Sequence, residues 1–362
     1  MIVSRLRLQN FRNYRELDVF FEENVNMFYG GNGQGKTNII EAIYLISSVR
    51  SHRTAKEKDL IRFGETEAKI ELFFSDRVRD FHVELRLFAE KNHEIYINDI
   101  KCQKNSELIG LFSAVLFSPE DFSMIKEGPS ERRRFLNIAI AQMRPQYFQC
   151  LVEYQRVLRS KNKALKEGGA FLQMLDIYQE KLSVLGAKII RYRAAFIEAL
   201  TPHIQEIYKQ ITLTDEDFCV CYDSCVPLGD EQDMQKALYR KMQRAKEREL
   251  LEKTSVVGPH REDLSFQINQ KQVKEFASQG QQRTAILTLK LAQAELLKAQ
   301  NGEYPVLLLD DILSELDATR RKFLLSDIKN KQVFITGTDK AGFGRRKDTK
   351  LFHIEQASVE KE

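Results

Sequence analysis

The sequence predicts an α/β fold: a mixed sheet with helices, assembled from both ends of the chain and interrupted by an inserted α-helical arm domain. Three observations carry this. The strand expected over 25–29 leads into Gly30-Gly31-Asn32-Gly33-Gln34-Gly35-Lys36-Thr37, after which Ile39, Ile43 and Ile46 recur at helical spacing, so strand, glycine loop and helix follow one another. Near the other end, Val306-Leu307-Leu308-Leu309 stops at Asp310 and Asp311, the pattern of a buried parallel strand that ends at a site. Between them, Leu175, Tyr178, Leu182, Leu185, Ile189, Tyr192, Phe196 and Leu200 recur mostly at alternating steps of three and four, the period of a packed helical seam.

Each element has its own signal. Ile2, Leu6 and Leu8 alternate with polar residues, as do Leu17, Val19 and Phe21, which is strand patterning at period two. Short strands recur at 69–74, 81–88 and 94–97, separated by charged or Asn/Asp turns, and 114–117 and 333–335 are further strands. In the middle, Tyr147, Leu151, Tyr154, Leu158 and Leu165 mark a helix, Gly168-Gly169 punctuates, and a further helix is expected over 231–253. The expected organisation is a head built from 1–118 and 254–362, with the arm at 119–253.

Composition narrows the class. The chain has 362 residues, a formal net charge of +4, 43% apolar and 30% charged residues, which excludes disordered, collagen-like and small disulfide-stapled architectures. No apolar run reaches the 18 or so residues of a membrane span, and Met1-Ile2-Val3-Ser4-Arg5-Leu6-Arg7 carries charge where a signal peptide is apolar, so a soluble, cytoplasmic protein with no membrane partner is expected. Cys102, Cys150, Cys219, Cys221 and Cys225 form no C-x-x-C pair and read as reduced thiols; the last three match no common zinc framework and read as small strand residues. His203, His260 and the other histidines form no evident triad with Ser and Asp.

The glycine run satisfies G-x-x-x-x-G-K-[ST]. Its glycines let backbone N–H groups wrap phosphate oxygens, Lys36 reaches β and γ oxygens, Thr37 offers a hydroxyl to Mg²⁺, and the helix that begins near Asn38 adds its positive end. A nucleoside triphosphate, ATP, with Mg²⁺ is therefore the expected ligand. Asp310, at a strand's carboxyl end, is the second expected Mg²⁺ ligand, and Asp311 beside it is placed to polarise water. Lys36 and Asp310 lie 274 residues apart, so a sizeable insertion separates the two halves of one catalytic site.

Further motifs name the class. Phe276-Ala277-Ser278-Gln279-Gly280-Gln281-Gln282-Arg283-Thr284 resembles the signature motif of ABC-type ATPases in its RecF form, and Ser314-Glu315-Leu316-Asp317 resembles their D-loop. Asn10-Phe11-Arg12-Asn13-Tyr14, Val257-Gly258-Pro259-His260-Arg261 and Pro119-Glu120-Asp121 with Gly128-Pro129-Ser130-Glu131-Arg132-Arg133-Arg134-Phe135-Leu136 extend the likeness to the RecF family along nearly the whole chain, with Glu127 and Asn137 departing from the expected Gly and Asp. The resemblance implies an ABC-type P-loop ATPase head and a homodimer closed by ATP, in which Ser278, Gln279, Gly280 and Gln281 act in trans and Asp317 serves the D-loop. It also implies a weak DNA-stimulated ATPase of recombinational repair that engages duplex DNA and single/double-strand junctions and works with RecO and RecR to load RecA at gaps. Two family features are missing: no Q-loop glutamine follows 114–117, and no switch histidine stands in Ile335-Thr336-Gly337-Thr338-Asp339, so slow hydrolysis is expected.

The basic character is local. Between Lys126 and Lys166 ten Lys/Arg meet three Asp/Glu, so Arg132, Arg133, Arg134, Arg156, Arg159, Lys161 and Lys163 are candidate DNA contacts, with 340–350 as a second patch. No base-reading motif appears, so backbone charge and shape are the expected determinants of DNA binding. The rival from another class is a transporter's nucleotide-binding subunit, against which the long basic insertion argues. A chromosome-organising SMC protein needs far longer arms, and a scaffold that binds ATP without hydrolysing it is separated by a single-turnover assay.

Overall fold

A computed structural model describes residues 1–54, 56–340 and 349–361. The chain forms two compact units, Met1–Asp121 with Arg283–Glu362, and Phe122–Gln282. Among the described residues the strands are β1 (Ile2–Phe11), β2 (Tyr14–Phe20), β3 (Val25–Tyr29), β4 (Glu67–Ser75), β5 (Asp80–Phe88), β6 (Glu94–Ile97), β7 (Ile100–Lys101), β8 (Ala114–Phe117), β9 (Phe218–Asp223), β10 (Asp263–Ile268), β11 (Lys271–Gln272), β12 (Val306–Leu309), β13 (Val333–Gly337), β14 (Thr349–Glu355) and β15 (Ser358–Lys361).

The first unit holds two sheets. One is antiparallel, in the order β2-β1-β4-β5-β6-β7, and its alternating burial follows the period-two pattern of the sequence. The other has the order β15-β14-β3-β13-β12-β8, parallel from β14 to β8 with β15 antiparallel at the edge. Its central strands are buried on both faces and, Asn26 and Thr336 apart, apolar, which is why they read as near-continuous runs instead of alternation. The helix Lys36–Ser48 touches β4 of one sheet and β8 and β13 of the other, and Ile39, Ile40, Ile43 and Ile46 are fully buried along it. Phe21, Phe28, Phe334 and Phe352 close the core beneath, Phe21 edge-on to Phe334 at 4.7 Å between ring centroids.

The second unit is built on the helix Leu175–Thr212, which packs against Pro145–Glu167, Glu231–Arg244 and β9. Gly186 sits where a Cβ would come within 2.6 Å of Leu238 Cδ2, so the leucine side chain packs directly on the glycine backbone. The unit is not purely helical: β9, β10 and β11 form a small antiparallel sheet in the order β11-β10-β9. The pairing of Asp263 with Asp223 through Ile268 with Phe218 ties residues beyond 253 to this unit, so it ends at Gln282 and not at 253. The helix expected over 231–253 is divided at Ala245 into Glu231–Arg244 and Lys246–Glu252. Cys219 and Cys221 lie on β9, and all five cysteines are free thiols. Among the described residues no helix is long and apolar enough to cross a membrane.

Candidate nucleotide site

The glycine loop leaves the carboxyl end of β3, the strand flanked in parallel by β13 and β14, where the chain connections diverge and open a crevice. Two of its glycines are obligatory. A Cβ on Gly30, at φ +143°, would lie 2.3 Å from the Ile354 carbonyl oxygen, and one on Gly35, at φ +118°, would lie 2.8 Å from the Tyr14 hydroxyl. The loop is held from outside by its neighbours: the Tyr14 hydroxyl donates to the Gly35 carbonyl, Asn13 Nδ2 to the Gln34 carbonyl at 3.2 Å, and Gln356 N to Gln34 Oε1 at 2.7 Å.

Lys36 is buried and its Nζ donates to the Gly30 and Gly31 carbonyls, both at 2.7 Å. Burial holds its pKa below the usual lysine value, against the opposing charges of Asp311 and Asp310. Thr37 Oγ1 donates to Asp310 Oδ1 at 2.9 Å, which joins residues 273 positions apart in sequence. Asp310 is 4% exposed at the end of β12, and burial raises its pKa in spite of the hydroxyls of Thr336 and Thr37. A hydroxyl and a carboxylate converging beside a phosphate loop are hard oxygen donors, the set Mg²⁺ takes when a substrate's phosphates complete its coordination.

Thr336 is a residue that sequence reasoning missed. It lies on β13, between β3 and β12, and its Oγ1 donates to Asp310 Oδ1 at 2.7 Å while accepting from Asp311 N at 2.8 Å. It therefore fixes both acids, in the segment where no switch histidine stands. Asp311 takes a left-handed backbone at φ +50° and its side chain is exposed.

A second support runs behind the loop. Glu41 is fully buried in the phosphate-loop helix and takes two hydrogen bonds from Arg12, at 2.8 and 2.7 Å, and one from the Ser51 hydroxyl. Burial pushes its carboxyl up, yet these bonds and the Arg12 charge outweigh burial and keep it ionised. Asn38 bridges Asn13, to which it donates at 2.7 Å, and Arg53, from which it accepts at 2.9 Å. Arg12, Asn13, Asn38, Arg53, Lys58 and the exposed Phe63 border an open cavity of about 920 Å³ beside the loop.

The signature stretch begins in the second unit, which holds Phe276–Gln282, and ends in the first, which holds Arg283 and Thr284. A helix runs from Gln279 to Asn301, so Gln279, Gly280 and Gln281 are its first turn and Ser278 precedes it. Ser278 Oγ accepts from Gln281 N at 3.2 Å and Gln281 Oε1 from Ser278 N at 2.9 Å, a reciprocal capping box that leaves the serine exposed with its own proton to donate. Asp317 caps the helix Ala318–Asp327 by accepting from Arg320 N at 2.9 Å. Next to it Arg283 pairs with Glu315 at 2.7 Å, and Arg320 Nε donates to Thr284 Oγ1 at 2.6 Å.

The basic segment divides. Lys161 is wholly buried, paired with Glu249 at 2.6 Å and bonded to Ser255 Oγ at 3.1 Å, so it cannot meet a DNA phosphate. Arg132 is 8% exposed and grips both oxygens of Asp263, at 2.7 and 2.8 Å, and the Met124 carbonyl; Arg133 donates to the Glu262 carbonyl. Lys161 and Arg132 are corrections: a desolvated cation needs a partner inside the protein, and each has one. Arg133 is half-buried and keeps part of its guanidinium at the surface. Arg134 is partly exposed and lies 3.5 Å from Glu131. Arg156, Arg159, Lys163 and Lys166 are exposed at steps of three and four on the helix Pro145–Glu167, forming one basic stripe. Of the second patch, 341–348 lie outside the described residues.

Comparisons with known proteins agree along the whole chain. The family model described as RecF/RecN/SMC N terminal domain matches residues 2–358. The DNA replication and repair protein RecF of Clostridium tetani (strain Massachusetts / E88) is 39% identical over 360 residues, 98% of either chain, and that of Clostridium novyi (strain NT) is 39% identical over 361 residues, 99% of either. A solved structure of the recombination mediator protein RecF-ATP in the RecFOR pathway superposes with a TM-score of 0.93 at 34% identity, over 100% of this chain and 97% of its own. The Smc head domain from Pyrococcus furiosus, with a TM-score of 0.56 at 15% identity over 99% and 95%, shares the fold.

Proposed function

The chain belongs to the RecF family of ABC-like ATPases, and on that premise we propose that it is an ATP-switched DNA-binding protein of replication and repair. The observation that carries the reading is the hydrogen-bonded run Thr37–Asp310–Thr336–Asp311 across three parallel strands beside Lys36. ATP binds with its phosphates on the loop's N–H groups, and its base and ribose extend into the open cavity beside Arg12 and Asn13. Lys36 exchanges the Gly30 and Gly31 carbonyls for β and γ oxygens, a change of partners that needs no new cation to be buried. Thr37 and Asp310 hold Mg²⁺, which when bound neutralises charge developing on the β and γ oxygens. Asp311, held by Thr336 through its backbone, orients and deprotonates the attacking water. Asp317 serves as the D-loop acid.

The exposed Ser278 hydroxyl at the start of the helix that opens with Gln279 and Gly280 suits a γ-phosphate carried by a second copy, with Gln281 N holding Ser278 Oγ in place, so ATP closes a homodimer and slow hydrolysis resets it. The stripe Arg156, Arg159, Lys163 and Lys166, with Arg134, contacts duplex and single/double-strand junctions through their backbones. RecO and RecR are the expected protein partners, in keeping with the RecFOR pathway of the RecF-ATP relative, and RecA loading at gaps is the expected outcome. The test is ATP turnover with and without gapped duplex DNA. DNA should raise a slow basal rate several-fold, whereas a rate indifferent to DNA, in a protein that retains no DNA at low salt, contradicts the proposal.

A further inference from the structure

Among the described residues that line the cavity beside the phosphate loop, Phe63 alone carries an aromatic ring, and it is the most exposed of the large apolar side chains described. Its place is fixed by the chain on either side. Leu60 and Ile61 are buried and Ile61 forms a β-bridge with Phe11, while Arg12 N donates to the Leu60 carbonyl and Arg62 N to the Asn10 carbonyl, both at 2.8 Å. Arg12 Nη1 also holds the Asp59 carbonyl at 2.8 Å. Beyond Arg62 the chain reverses: Glu65 N donates to the Arg62 carbonyl at 3.0 Å with Gly64 at φ +88°, which leaves Phe63 at the corner of a tight turn. The residue after Arg12 is Asn13, which donates to the Gln34 carbonyl of the phosphate loop and accepts from Asn38 at the start of its helix. One short segment, Asn10–Asn13, therefore braces both the corner that carries Phe63 and the loop. Among the described residues no ring or cation stacks on Phe63, so a rigid corner offers a free ring face to the cavity. A flat, apolar-faced group is what such a ring takes, and a nucleotide whose phosphates lie on the loop brings one, its base.

We propose that Phe63 stacks on the base of the bound nucleoside triphosphate and grades nucleotides by the size of that base. The inference rests on the ATP reading above. The phosphate loop meets the same three phosphates in every nucleoside triphosphate, so preference among bases has to arise elsewhere in the cavity. A ring face responds to overlapping area and is blind to the hydrogen-bonding edge, so it favours purines over pyrimidines and treats adenine and guanine alike. Phosphate binding and base binding then fall to separate residues: Lys36, Thr37 and Asp310 for the first, Phe63 for the second.

Calorimetric titration of the full chain and of Phe63→Ala with ATP, CTP and inorganic tripolyphosphate, each with Mg²⁺, tests this. The ring packs against nothing in the fold, so its removal should leave the unfolding midpoint unchanged. Phe63→Ala should lose about tenfold in affinity for ATP, less for CTP, and nothing for tripolyphosphate. The chain contains no tryptophan, so Phe63→Trp installs a single reporter at the site. That variant should bind ATP at least as well as wild type, and its emission should be quenched by ATP and not by tripolyphosphate. Unchanged ATP affinity in Phe63→Ala, equal losses for ATP and tripolyphosphate, or equal quenching by the two overturns the proposal while the wild-type ATP site stands. Wild-type protein that binds neither ATP nor tripolyphosphate overturns the ATP reading, and this proposal with it.

Discussion

Lys36 and Lys161 are both buried lysines, one in each unit, and they differ in what holds them. Lys36 Nζ rests on two backbone carbonyls, neutral partners that a phosphate can replace. Lys161 Nζ lies 2.6 Å from a buried carboxylate, Glu249, which itself takes hydrogen bonds from Ser255 Oγ and Val256 N. Exchanging that partner for an external anion would leave Glu249 buried without a counter-charge, at several kcal/mol. A buried cation is thus available for ligand binding when its resting partner is a dipole, and committed to the fold when its partner is a charge. The same contrast separates Arg132, clamped on Asp263, from the exposed stripe that begins at Arg156.

Substitutions at the two lysines should break this comparison cleanly. Lys36→Met should lower ATP turnover by about a thousandfold or more, because the long cation aimed at the β and γ oxygens is gone, while the unfolding midpoint stays nearly unchanged. Turnover within threefold of wild type would remove Lys36 from the site. Lys161→Met should do the reverse and cost about 3–5 kcal/mol of stability in urea, with ATP affinity of the folded fraction intact. A variant as stable as wild type would show that Glu249 finds another partner.

His260 sharpens the view of the second unit. Its Nδ1 meets the Tyr154 hydroxyl at 2.7 Å, its Nε2 meets the Ser255 carbonyl at 3.1 Å, and burial lowers its pKa to about 4 from 6.5. Between those values the unfolded chain takes up a proton that the folded chain refuses. The contribution is therefore complete above about pH 6.5 and is lost as the pH falls towards 4, up to about 3 kcal/mol in all. Denaturation midpoints measured from pH 7 to 5 should fall in wild type and fall less steeply in His260→Asn; parallel curves would contradict this. The smallest effect is expected on the exposed stripe. Arg156→Ala with Arg159→Ala should leave stability within about 0.5 kcal/mol, weaken unrelated duplexes alike and flatten the salt dependence of log affinity by up to about 0.9 per lost phosphate contact. An unchanged slope would assign the stripe to another partner.

The sequence was most legible where chemistry is contiguous. The phosphate loop is eight successive residues between a strand and a helix, and the apolar run that ends at Asp310 names its own boundary. Thr336 was not legible, because a lone threonine gains meaning only once β13 is known to lie between β3 and β12. The second unit's end at Gln282 depends on β9 pairing with β10 forty residues later, which no local pattern encodes. The basic residues are a different case, since the signal was present and charge counting overrode it. Lys161 follows Tyr154 by seven positions and Val157 by four, on the buried stripe of its helix, and Arg132 shares a face with Leu136, Ala139 and Met143. Helical period, applied to cations as it is to leucines, separates structural from available charge.

The central claim is that ATP acts as the joint between two copies, with the phosphate loop of one copy met by the exposed signature serine of the other. Sedimentation velocity of wild type and Ser278→Arg, each with and without Mg·ATP, tests it most directly. The arginine places a bulky cation at the helix start that should meet the partner's γ-phosphate, while Lys36, Thr37 and Asp310 stay intact in each monomer. Wild type should shift from monomer to dimer on addition of Mg·ATP, and Ser278→Arg should bind the nucleotide with near-normal affinity yet sediment as a monomer. Full ATP-driven dimerisation by Ser278→Arg would contradict the account.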